Sequence, residues 1–200
     1  PDTVSQDASA AWALRSGDKT SMVHMLRYVA QGYAAAGVSA GNTGALVALA
    51  RRELGMLPDF SRPAISTAIP ARGGRRCYLL DLGANVDSPA SRLVDFAMMG
   101  AAMAQCMDGI NCPRVALLNV GAEATKGSAT VREADRLLRE RATTLSFAYQ
   151  GYAEGGDIFQ GDIDVMVCDG FVGNVVLKAS EGLTRMLVER VQMAFESRLC

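Results

Sequence analysis

Histidine is almost missing: His24 is the only one in 200 residues. A Ser-His-Asp or Cys-His catalytic set would have to use it, and a histidine-rich metal site is excluded. His24 lies in TSMVHMLRYVAQG, whose apolar spacing predicts an amphipathic helix, so a helical surface or core-edge role is expected. The cysteines Cys77, Cys106, Cys112, Cys168 and Cys200 are odd in number and never form a C-x-x-C pair, which points to reduced, intracellular thiols and no zinc ligand set. Charge of one sign is also lacking. Lys and Arg total 20 against 21 Asp and Glu, with no long like-charged block, so neither nucleic-acid binding nor a polybasic membrane patch is indicated.

No apolar run reaches the roughly 18 to 20 residues of a membrane span. A start methionine and a signal peptide are missing too. The chain opens on PDTVSQDASA and stops inside the helical pattern LTRMLVERVQMAFESRLC, so it is expected to be a piece of something longer. No G-x-G-x-x-G fingerprint exists, which removes the usual nicotinamide site.

What is present is an alternation of strand and helix patterns. Helices are predicted over 8–15, 21–35 and from Asn42 onward, with a short buried strand around Val38. AISTAIP and RRCYLLDL are strand candidates separated by the turn ARGG, which allows a hairpin. A helix over 88–108 carries a serine cap, with a proline just inside. RVALLNV, LSFAYQG and IDVMVCD read as further strands, TVREADRLLRERA as a polar amphipathic helix, and the C-terminal stretch as one long helix. Half the residues are apolar, enough for one good core. A single α/β domain over 1–200 is expected, a layered α/β/α Rossmann-like fold whose sheet is mostly parallel or mixed.

Four strand ends pass from apolar residues into glycine with a polar neighbour: VSAGNTGA, LDLGANVD, LLNVGAEATKGS and CDGFVGNV. In open α/β sheets the carboxyl ends of strands line the ligand crevice, so four such turns can converge on one site. Glycine lets backbone approach a ligand, and a helix start presents N–H groups suited to phosphate. The first turn offers Ser39, Gly41, Asn42, Thr43 and Gly44; the competing role for Asn42 or Thr43 is a helix cap. The second offers Asp81 and Asn85 as loop-ordering groups that also touch substrate, with Asp87 as a cap; a divalent metal would need a third ligand that is not evident. In the third, Gly121, Lys126 and Gly127 have P-loop spacing, but lysine and glycine are transposed, so a triphosphate should not be wrapped in that manner. A cation for an anionic group survives. The fourth contains Asp169, Gly170, Gly173 and Asn174 at a helix start, where a plain cap is again the competing role. Cys168, beside Asp169, is read as structural.

Taken in order, VSAGNTGAL, RPAI, LDLGANVD, DFAMMG, RVALLNVG followed by KG, and DVMVCDGFVGNVVLK with EG resemble the bacterial phosphate acyltransferases of phospholipid synthesis. The resemblance covers roughly 21–182. It implies a fold similar to phosphate acetyltransferases and isopropylmalate dehydrogenase-like proteins, and transfer of a fatty acyl group from acyl carrier protein to inorganic phosphate, with no cofactor and no metal. Lys126 and Asn174 match positions expected to be catalytic. Relative to the family the chain lacks a first strand and a closing segment, and residues 175–200 would begin a helical extension. The loop GAEATKGS has fewer acidic residues than is usual, keeping Glu123, and a common family arginine is Gly156 here.

Phosphate carries its own nucleophilic oxygens, so no Ser or Cys nucleophile is required. The expected arrangement has the AGNTGA turn and Lys126 holding phosphate while Asn174 and the GFVGN backbone stabilise the tetrahedral intermediate, or the two turns exchanged. The resemblance further implies an acidic carrier-protein partner, for which 72–76 and RLLRERA are candidate basic patches, a cytoplasmic homodimer, and peripheral membrane association. The methionine-rich face of FAMMGAAMAQCM is either a dimer seam or ordinary packing. Two rivals are a phosphate acyltransferase using acyl-coenzyme A and a non-catalytic phosphate- or acyl-binding module; a P-loop nucleotidase is a distant third.

Overall fold

The computed structural model describes residues 2–196. Where the sequence reads as one domain, the chain packs as two compact units, Pro1–Pro63 and Ala64–Cys200. Each is described by itself.

The first unit is built from three helices, α1 (Ala10–Ser16), α2 (Ser21–Ala30) and α3 (Thr43–Leu54). Ser9 starts α1 by accepting a hydrogen bond from Trp12 N–H. Ala13, Met22, Val23, Leu26, Ala45 and Leu49 close a small core, each positioned by helical periodicity. His24 lies on the exposed side of α2. Helix α2 stops at Ala30, not at residue 35, because Gly32 turns the chain at φ +76°. The strand expected around Val38 is not formed. No ladder runs beside this segment, and Val38 is 95% exposed.

The second unit is a five-stranded sheet with helices: β1 (Ser66–Pro70), β2 (Arg76–Leu80), α4 (Ala90–Asp108), β3 (Arg114–Leu118), α5 (Ala129–Glu140), β4 (Ala148–Ala153), β5 (Val165–Val167) and α6 (Gly170–Glu196). Strand order is β1-β2-β5-β3-β4. β1 and β2 form the antiparallel hairpin that ARGG allows, and the other pairs are parallel. The sheet is therefore mixed at one edge, as the α/β reading permits. Expected strand LSFAYQG is displaced toward the C-terminus, its ladder beginning at Ala148. The serine cap expected for α4 is also not formed: Pro89 is the N-cap, and Ser88 Oγ donates instead to the Asn85 carbonyl at 3.4 Å.

The central strands are apolar on both sides because both faces are covered. Tyr78, Leu80, Val115, Leu117, Val165 and Val167 pack against α4 and α5. Their neighbours Cys77, Leu79, Ala116 and Met166 face Ile158, Ile163 and the start of α6, with Val176 and Leu177 alongside. Each large buried side chain contributes about 1.5–3 kcal/mol of apolar burial. Met99 and Met103 of the methionine-rich segment pack on the α4 side of the sheet, whereas Met107 is exposed. From Leu183 onward α6 leaves apolar side chains exposed, including Met186, Leu187 and Val191. Among the described residues no helix is long and apolar enough to cross a membrane.

Two contacts decide how closely the layers fit. At Gly100 a methyl group would overlap Val165 Cγ1 and lie 3.0 Å from Leu80 Cδ1, so α4 sits on the sheet through a bare backbone. At the amino ends of β3 and β5, the half-buried Arg114 holds the buried Asp164 through Nε at 2.9 Å, Nη2 at 2.7 Å and its backbone N–H at 2.8 Å. Burial works to raise the Asp164 pKa, but the hydrogen bonds and charge of Arg114, with help from Arg75, outweigh it and hold the carboxyl below 3.8.

Gly100→Ala is expected to lower stability by about 1–3 kcal/mol in urea denaturation despite alanine's better helix propensity, because it overpacks α4 against the sheet. A variant as stable as the parent would contradict this packing. For Asp164 the folded carboxyl titrates below its unfolded value, so its contribution is present above the ordinary carboxylate range and disappears as pH falls through the folded pKa. The stability gap between the parent and Asp164→Asn should accordingly be full at neutral pH and close in acid; a gap independent of pH would count against the pairing.

Candidate functional site

Strands β2, β3 and β5 are parallel, so the loops that follow them emerge at one edge of the sheet. That edge carries three of the four glycine-bearing turns read from the sequence.

Asp81 follows β2 and is fully buried. Its Oδ1 accepts from the N–H groups of Ile65 (2.9 Å), Leu82 (2.7 Å) and Ala84 (3.2 Å), and its Oδ2 from Asn85 N–H (2.7 Å) and Asn85 Nδ2 (2.9 Å). A buried carboxylate costs free energy unless it is satisfied in this way. Asn85 is buried as well, and its carbonyl accepts from Gly170 N–H at 2.9 Å. Asp87, at φ +57°, does not cap α4.

After β5, Asp169 caps α6: its Oδ1 accepts from Phe171 N–H at 2.9 Å and Val172 N–H at 3.1 Å, and its carbonyl accepts from Gly173 N–H at 3.0 Å. The N–H groups of residues 170–173 are thus all paired. Of the two roles open from the sequence, oxyanion donors or a plain cap, these N–H groups serve the cap and the neighbouring loop. Gly170 and Gly173 allow close approach: a Cβ at 170 would stand 2.7 Å from the Asn85 oxygen, and one at 173 would overlap the Asp81 carbonyl oxygen. Asn174 comes next, exposed and beside Gly83, where a Cβ would lie 3.8 Å from the Asn174 Cβ. Its amide has no hydrogen-bond partner among the described residues. Cys168 is buried behind this turn, and burial followed by the charges of Asp169 and Asp81 pushes its thiol pKa up, which suits a structural cysteine.

The loop after β3 is shaped by Asn119, whose Nδ2 donates to the carbonyls of Gly121 (3.1 Å) and Lys126 (3.2 Å). Gly127 takes φ +91° against the Asn119 side chain. Exposed Lys126 pairs with Glu123 at 3.0 Å across Gly121, and the hydrogen bond from the lysine holds the Glu123 carboxyl below its usual range. Ser128 starts α5 by accepting from Val131 N–H at 3.2 Å. A pocket of about 230 Å³ lies where the three loops meet, lined by Asp87, Ser88, Leu93, Ser128, Thr130, Val131 and Asp169. The hydroxyls of Ser88, Ser128 and Thr130 and the start of α5 offer polar groups there. Sequence reading missed these because Ser128 and Thr130 look like ordinary helix-start residues; their place after a third glycine turn was the available signal. Among the described residues no group of three or more His, Cys, Asp or Glu stands together as metal ligands.

The fourth turn belongs to the first unit. Asn42 Oδ1 accepts from Ala45 N–H at 2.9 Å and caps α3, while Nδ2 donates to the carbonyls of Gln6 (2.7 Å), Ala8 (2.8 Å) and Ser5 (3.4 Å). Ser39 Oγ accepts from Gly41 N–H at 3.2 Å. Both side chains are employed in holding the turn. Thr43 and Gly44 form the first turn of α3.

The chain matches the family described as fatty acid synthesis protein over residues 1–200. It is 52% identical over 195 residues to a phosphate acyltransferase of Stutzerimonas stutzeri (strain A1501), covering 98% of this chain and 53% of the relative. Against the phosphate acyltransferase of Alcanivorax borkumensis identity is 47% over 203 residues, with 100% and 59% covered. The one from Pseudomonas syringae pv. syringae is 50% identical over 198 residues, with 99% and 57% covered. The chain thus spans somewhat more than half the length of these curated relatives. Among solved structures, a branched-chain phosphotransacylase from Enterococcus faecalis V583 superposes with a TM-score of 0.53 at 17% identity, covering 79% of this chain and 62% of that one. At that identity the likeness establishes the fold.

Replacing Asn42 by Ala should cost about 1–2 kcal/mol in denaturant unfolding, since a cap and the bonds to the backbone of residues 6 and 8 are lost together. Asn42→Asp, which keeps the capping oxygen, should lose less. Unchanged stability in both would show that Asn42 has no structural task.

Proposed function

Since the chain belongs to the fatty acid synthesis protein family, we propose that the whole protein transfers a fatty acyl group from a carrier thioester to inorganic phosphate, forming an acyl phosphate for lipid synthesis. The single observation that supports this most is the meeting of three polar loops at the carboxyl edge of β2, β5 and β3, around a pocket with hydroxyls and a helix start. The family's relatives bear the name phosphate acyltransferase, and the reaction asks for what this edge offers.

In the proposed reaction a phosphate oxygen attacks the thioester carbonyl carbon, the C–S bond breaks, and the thiolate leaves and takes up a proton. The protein must position two anionic or polar substrates and stabilise the developing oxyanion. We assign Lys126 to phosphate, with the start of α5 beside it as an anion-favouring helix terminus. Glu123 holds the ammonium in the free protein, and phosphate would compete for it. Asn174 is assigned to the carbonyl oxygen: its side-chain amide is unpaired, whereas the backbone donors around it are taken. Ser39 and residues 41–44 remain candidate substrate contacts through their own unit. Asp81, Asn85, Asp169, Gly170 and Gly173 shape the edge.

Acyl carrier protein is the proposed donor, and acyl-coenzyme A is the alternative. The basic segment 72–76 lies in the β1–β2 turn, at the amino end of β2 and away from the loop edge. In RLLRERA, Arg136 pairs with Glu133 and Glu140, and Arg139 with Asp135, which leaves less free charge for an acidic partner. A homodimer, a cytoplasmic setting and peripheral membrane association are carried as proposals from the family resemblance.

Lys126→Ala in the intact protein should reduce phosphate-dependent consumption of acyl thioester by about 10²–10³-fold while leaving the fold intact by circular dichroism. Near-normal turnover with either acyl-carrier-protein or acyl-coenzyme A thioesters would remove Lys126 from the mechanism.

A further inference from the structure

We propose that Asp81 is a positioning residue that locks the loop after β2 to the first turn of α6 and thereby fixes Asn174; its catalytic consequence rests on the assignment of Asn174 to the carbonyl oxygen. Asp81 does not touch substrate. It is fully buried, and its two oxygens already accept five hydrogen bonds, four from backbone N–H groups and one from Asn85 Nδ2. No ammonium or guanidinium is among these partners, so oriented amide dipoles stabilise the carboxylate.

The geometry transmits that order. Asp81 draws in both the N–H and the side chain of Asn85, which sets the direction of the Asn85 carbonyl; that carbonyl accepts from Gly170 N–H at 2.9 Å. Asp81 N–H donates to the Cys168 carbonyl at 3.0 Å, and the Asp81 carbonyl lies where any side chain at 173 would have to go. The loop and the helix start are therefore joined at three successive points. Asn174 follows the last of them, with Gly83 of the same Asp81-ordered loop as its neighbour. Substituting amide for carboxylate at 81 would turn one oxygen into a donor facing other donors, and the loop would have to open to relieve it.

The test compares the intact parent protein with Asp81→Asn by hydrogen exchange and steady-state kinetics. Exchange over 170–174 should accelerate by about tenfold or more, with α5 and the helices of the first unit unchanged. The kcat should fall while the KM for phosphate moves less than about threefold, and in an Asn174→Ala background the Asp81 change should lower kcat by less than about threefold further. Parental exchange over 170–174 would overturn the coupling, and an undiminished kcat loss in the Asn174→Ala background would overturn the positioning role. Full kcat in Asn174→Ala alone would overturn the assignment of Asn174 and the catalytic consequence with it, while exchange still judges the coupling. If Asp81→Asn does not fold, Asn85→Ala, which removes the side-chain donor to the carboxylate and leaves the four backbone donors in place, is put through the same measurements and judged by the same outcomes.

Discussion

A buried carboxylate without a cationic partner needs several well-placed donors, and the loop edge of the second unit is organised by meeting that need for Asp81. Five donors converge on it from residues 65, 82, 84 and 85. Their convergence shapes the loop after β2, that loop offers a carbonyl to the start of α6, and the helix can approach only because 170 and 173 are glycines. Burial of polar groups is destabilising when they are unpaired and specifies one geometry when every one is satisfied. Asp81 belongs to the second case.

The same edge shows how an α/β sheet turns topology into chemistry. Parallel pairing of β2, β5 and β3 sends three loops to one side, and each loop arrives with a different asset. One supplies rigidity through Asp81 and Asn85. Another supplies a cation, Lys126, and a helix start at Ser128. The third supplies the amide of Asn174, which has no hydrogen-bond partner among the described residues. None of the three loops carries a histidine that could activate their serines, since His24 is the only histidine in the sequence.

Much of this was legible in the sequence for physical reasons that can be named. The central strands read as continuous apolar runs because helices cover both faces, and the ARGG turn between two β-rich segments announced the hairpin. Glycine next to Asn, Asp or Lys at strand ends marked the edge. What could not be read was how the polar groups are shared out. Asn42 has a cap and three carbonyls to serve, and Asp169 takes the very N–H groups that looked available to a ligand. The caps are local, between Asp169 and residues 171 and 172 and between Asn42 and Ala45, but the carbonyls that claim the Asn42 amide lie about 34 residues away or more, and local pattern does not encode those. Val38 failed as a strand for a related reason: apolar character suits a ladder but does not supply one. The boundary at Pro63 falls at the end of the loop GMLPDFSRP, whose glycine and two prolines mark a loop without distinguishing a boundary between units from a turn within one.

In the proposed reaction phosphate itself is the nucleophile, at an edge built from ordered loops. This is tested most directly by incubating the intact protein with a fatty acyl thioester and inorganic phosphate while following thiol release and the phosphorus resonance of the product. Acyl phosphate is expected to form in step with thiol, with no thiol release when phosphate is left out. Thiol release that continues at the same rate without phosphate, yielding free fatty acid, would contradict it.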